Sequence, residues 1–167
     1  MRTRRLVVGL AVAFLGCGDD GDPNRPGPLL AEEVCDLLRA DEVAAAVEGP
    51  VGAAEVVPGG TPQCSFRYTG ASGTTASVVL SVQRTEEDLG GRSGREGFDH
   101  ALTLSADLSP GGFDPIDGLG DAAAFAAGDV LGLLVVQAGD QVVAVAGEGL
   151  ERDVAIRIIR PAVERLE

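Results

Sequence analysis

Two stretches near the C-terminus, Val130–Gln137 and Gln141–Gly147, are apolar at nearly every position and are separated only by Ala138-Gly139-Asp140. A Gly-Asp pair between two such runs predicts a hairpin. Successive side chains of a strand point to opposite faces, so a run without polar alternation asks for burial on both. Helices can meet that demand on one face. The other face needs a second layer, a partner or an apolar ligand, unless its small Ala and Gly residues close a core with little cover.

The rest of the chain supplies the layers. Ala31–Glu48 has helical spacing, with Val34, Leu37 and Leu38 on one face and Val43 and Val47 four apart. Asp41 can cap a second helix inside it, so a short turn through Leu38 followed by a helix to Val47 is expected, stopped by Gly49-Pro50. Three strands follow: Val51–Val57, Gln63–Tyr68 and Ala76–Arg84. Cys64, Phe66 and Tyr68 share one face of the second, and Val78, Leu80 and Val82 one face of the third. A short helix is expected over 95–106, weakened by Gly97. Ser109–Asp117 reads as turn chemistry, and Ala122–Ala127 as a strand leading into the hairpin. Glu151–Leu166 closes the chain as an amphipathic helix, with a kink expected at Pro161. The expected fold is therefore α+β: a mostly antiparallel sheet of five to six strands with helices packed on a face. Its order is helix, three strands, helix, three strands, helix, which hints at an internal pseudo-repeat.

The N-terminus carries an address. Arg2, Arg4 and Arg5 precede the run Leu6–Leu15, which closes on Gly16-Cys17. A basic region, a short apolar region and a small residue before the cut make a secretory signal over 1–16. A run of about ten residues is too short to span a bilayer. The run also resembles a bacterial lipoprotein signal, in which the cysteine after Gly is acylated, although Phe14 stands where that motif usually has Leu. That resemblance implies lipidation at Cys17 and an extracytoplasmic domain anchored to the cell membrane; plain secretion is the rival. Residues 17–30 would be a disordered tether holding three prolines and three glycines, and 31–167 a single domain. Cleavage would leave 10 basic against 26 acidic residues, a formal charge of −16. Such a charge repels phosphate backbones and excludes nucleic acid as a ready partner.

With Cys17 assigned to lipid, Cys35 and Cys64 remain as an even pair in an oxidising compartment. A disulfide between them would close a loop of about thirty residues and stabilise the fold by roughly 3.5 kcal/mol. Two buried free thiols are the alternative. A metal site is disfavoured, since His100 is the only histidine and no C-x-x-C occurs.

Cys35-Asp36-Leu37-Leu38, Asp41-Glu42-Val43, Cys64-Ser65-Phe66 and Gly118-Leu119-Gly120-Asp121-Ala122-Ala123, in that order and spacing, resemble small actinobacterial envelope lipoproteins of a domain-of-unknown-function family. The likeness covers about residues 31–166, with Phe66 where such proteins often carry Trp. It implies a paired Cys35–Cys64 and a membrane-tethered domain, and it supplies no activity or catalytic residues.

The chain holds no G-x-S-x-G elbow, P-loop, H-E-x-x-H or strand-borne G-x-G-x-x-G. Gly91-Arg92-Ser93-Gly94 has its glycine one position early for an elbow, and Gly118-x-Gly120 precedes a strand and reads as a turn. His100 beside Asp99 could make half of a base–orienter pair. Asp114, Asp117 and Asp121, with Glu148 and Glu151, could gather around Ca²⁺, though turn and cap roles suit the aspartates better. The Asp19, Asp20, Asp22 cluster fits no loop motif. No catalytic or metal residue and no cofactor is assigned. The expected role is a non-enzymatic binding or accessory one toward an envelope protein. A carrier or sensor for an apolar ligand is the alternative, and an extracytoplasmic hydrolase the remote one.

Overall fold

The computed structural model describes residues 29–70, 73–83, 91–108, 111–128 and 130–167. The expected leader, the expected lipidation site Cys17 and nearly all of the expected tether lie outside the described residues. Elements run α1 (Ala31–Asp36), α2 (Ala40–Val47), β1 (Glu55–Val57), β2 (Gln63–Thr69), β3 (Thr75–Gln83), α3 (Gly94–Leu104) and a 3-10 turn (Ala106–Leu108). They continue as β4 (Asp114–Ile116), β5 (Ala122–Ala127), β6 (Leu131–Ala138), β7 (Gln141–Glu148) and α4 (Arg152–Leu166).

The strands form one open sheet in the order β1-β2-β3-β7-β6-β5-β4, antiparallel at every junction. The chain lays down β1 to β3 as a meander and then passes through α3 to the far edge. It returns strand by strand until β7 pairs with β3. The fold is α+β as expected, but with seven strands rather than five or six and four helices rather than three. The extra strand is β4, in the stretch read as turn. Pro115 lacks an N–H, which an edge strand tolerates on its unpaired side, and β4 pairs only with β5. The extra helix arises at the start. The first helical region breaks at Leu37–Arg39 into two helices, and the α2 cap residue is Arg39 rather than Asp41. Arg39 has no side-chain acceptor, so the cap comes from inside the helix: Glu42 accepts the Arg39 backbone N–H at 2.9 Å.

β6 and β7 show the two-sided burial their composition demands. Leu134 and Val136 face a core layered under α1, α2 and α4, together with Phe66, Leu80, Val145, Ile158 and Ile159. Leu133 and Val135 face the other way, with Val142 and Ala124, and meet Phe98 of α3. One helix, α3, packs on the second face, whereas three helices cover the first.

Cys35 of α1 and Cys64 of β2 are joined in a disulfide, with Cα atoms 5.1 Å apart. Cys64 is fully buried, so the bridge ties the first helix to the interior of the sheet. At the other end of the chain, Arg165 of α4 donates to both Glu42 carboxylate oxygens and to the Leu37 carbonyl. This clamps the last turn of α4 onto the α1–α2 corner. Glu48, just beyond α2, takes a left-handed backbone at φ 55°, and Arg157 reaches back to the Ala46 carbonyl at 2.9 Å. The exposed cation thus meets the C-terminal turn of α2, where helix carbonyls lack partners.

Candidate functional site

The second sheet face is the unfinished part of the fold. α3 packs Phe98 onto β5–β7 but ends at Leu104, which is 67% exposed. Beyond that helix end lies a trough of about 270 Å³ over β3, β7 and β6. Leu131, Leu133, Ala144 and Ala146 form its strand side, and Ala101 and Leu104 its helix side. A ligand pocket in a protein typically holds about 300–1,000 Å³, so the trough suits something slender. It lies beside the two runs whose outward faces asked for cover.

Two other depressions flank the sheet. One, of about 370 Å³, lies between α3 and the 115–124 stretch and is lined by Phe98, Phe113 and Asp117 among others. Arg95 at its edge sits 5.3 Å from the Phe98 ring centre. The other, of about 310 Å³, lies between the end of α2 and the start of α4, against Tyr68, Glu48 and Arg157. Burial pushes the Tyr68 phenol above its ordinary pKa, and the Glu148 carboxylate adds to the effect.

Two of the polar residues singled out in the sequence, Asp99 and Asp121, are engaged in structural contacts. Asp99 gives its carboxylate to Arg95 at 3.0 Å. The His100 side chain makes no hydrogen bond among the described residues and lines none of these three depressions. Asp121 accepts the Gly139 backbone N–H at 2.8 Å, while its own N–H donates to the Gln137 carbonyl at 2.9 Å. The Gly118-Leu119-Gly120-Asp121 motif thus braces the turn of the β6–β7 hairpin. A Cβ on Gly120, at φ 57°, would lie 2.3 Å from the Gln137 carbonyl oxygen, so only glycine fits. Among the described residues no three His, Cys, Asp or Glu side chains gather as metal ligands. Ser93 of the near-elbow is the residue before α3.

The chain matches no family model, no curated protein and no solved structure. No described helix is long and apolar enough to cross a membrane.

Sequence reading pointed to the faces of β6 and β7 that needed cover and missed the rest of the trough. Gln63, Ser81 and Gln83 on the adjoining strands and the exposed Leu104 complete it. The signal for Ser81 and Gln83 was present in β3, where Ser77, Val79, Ser81 and Gln83 alternate with the core residues.

Proposed function

We propose that this chain is an exported envelope protein, anchored by lipid on Cys17, whose domain works by binding rather than by catalysis. The observation that carries the binding role is the trough beside β6 and β7, an apolar hollow at the place where the strands ask for cover. The export and the anchor rest on the leader pattern at residues 1–17. Kinship with the actinobacterial lipoproteins rests on the short motifs around Cys35, Cys64 and Gly118. A role as carrier or sensor of an apolar ligand is the reading that the trough favours over a purely structural accessory role. In the hydrolase reading Asp99 would orient His100; the Asp99 carboxylate pairs with Arg95 on an exposed part of α3.

Detergent-phase partitioning of the protein from its native envelope tests the anchor. The native chain should enter the detergent phase and Cys17→Ala should move to the aqueous phase; equal partitioning would overturn the anchor.

A further inference from the structure

We infer that the trough holds a single aliphatic chain whose head is uncharged and hydrogen-bonding, of the fatty alcohol or monoacylglycerol type. The inference deepens the binding role proposed above and depends on it. Its basis is the register across four strands. Val135 of β6 lies opposite Ala144 of β7, Ala144 opposite Ser81 of β3, and Ser81 opposite Gln63 of β2. One row therefore passes from branched apolar through a methyl to a hydroxyl and then an amide. The neighbouring row, Leu133–Ala146–Val79, is apolar across β6, β7 and β3 and ends on Ser65 of β2. Ala144 and Ala146 are the only small side chains in the β7 part of these rows, and both are partly open to solvent. They form the low floor between the taller Leu133 and Leu104.

The second observation is electrostatic. Among the described residues, none of the thirteen lining the trough is ionisable, in a chain that is 23% charged with a formal net charge of −13. A carboxylate head would be desolvated with no cation among the described lining residues to receive it. An ammonium head would find no carboxylate in the described lining. A hydroxyl or ester head meets Gln63, Ser81 and Gln83, which both donate and accept. The trough's size fits one short chain rather than a two-tailed lipid.

Calorimetric titration of the full chain carrying Cys17→Ser, disulfide intact, tests this. The probes are monodecanoylglycerol, decanoate and decyltrimethylammonium, each below its critical micelle concentration. The glyceride should bind one to one, and the two charged probes at least tenfold more weakly. Ala144→Phe should abolish binding. Leu104→Ser, at an exposed position outside both core clusters, should weaken it several-fold with an unchanged far-UV spectrum and melting point. Charged probes binding as tightly as the glyceride, or both variants binding normally, would overturn the inference. Nile red separates the two levels of the argument. If the glyceride fails but the dye binds and Leu104→Ser releases it, the ligand class falls and the trough stands. If neither binds, both fall.

Discussion

A Cβ on Gly132 would lie 2.1 Å from the carbonyl oxygen of Leu150. Gly132 of β6 pairs with Gly147 of β7, and the two glycines leave a notch on the main-core face. The chain leaving β7 crosses that notch at Leu150, which is buried, before entering α4. The close approach is what lets α4 start directly above the strands it covers.

Gly132→Ala must therefore push backbone rather than a flexible side-chain tip. Destabilisation by about 3 kcal/mol or more is expected, at the upper end for overpacking. At Gly147 the nearest atom to an added Cβ is the Ser77 carbonyl oxygen at 3.0 Å, so Gly147→Ala should cost about 1 kcal/mol. Thermal melts of the two variants should rank in that order. Equal melting points would mean that Leu150 does not rest in the notch.

The Glu42–Arg165 clamp predicts an acid-sensitive step. Hydrogen bonds from Arg165, with help from the Arg39 backbone N–H, hold the Glu42 carboxyl at about 2 instead of its ordinary 4.5. The native state then binds fewer protons than the unfolded chain, so the contribution is complete above pH 4.5 and is lost as pH falls toward 2. Both side chains keep some solvent contact, 18% for Glu42 and 32% for Arg165, which limits the contribution to about 1–2 kcal/mol. Glu42→Gln should lose that amount at pH 7 and flatten the urea-midpoint profile between pH 4.5 and 2.

The Cys35–Cys64 bridge should survive alkylation without reduction. Peptide mapping is expected to show both cysteines modified only after a reductant is added, and reduction should lower stability by roughly 3.5 kcal/mol. Modification of either cysteine in the folded, unreduced protein would contradict the bridge.

Tyr68 is the only tyrosine in the chain, so alkaline absorbance titration reads one site. Its midpoint should lie above 10, because the half-buried phenolate loses hydration and faces Glu148. Glu148→Gln should bring the midpoint part of the way back, leaving the larger effect of burial. A midpoint at 10 in the native chain would place the phenol in open solvent.

Much of this fold was legible along the chain, for a local reason. Alternation in β2 and β3, the apolar runs of β6 and β7, and the amphipathic spacing of α4 each record which side of an element is buried. The parity of two cysteines left after Cys17 pointed to the pair that is bridged. Periodicity also gave the demand for two covering layers. What it could not give was anything set by pairing across long separations. β4 was hidden because Pro115 counts against a strand everywhere except at an edge, and only the assembled sheet makes that position an edge. Glu42 and Arg165 lie 123 residues apart, and neither has local context that announces the other. The trough depends on where α3 stops over the sheet and on which of Val135, Ala144, Ser81 and Gln63 fall into one row. Sequence alone states that a face must be covered; packing and register decide how completely it is, because side-chain height and helix length act together only once the strands stand side by side.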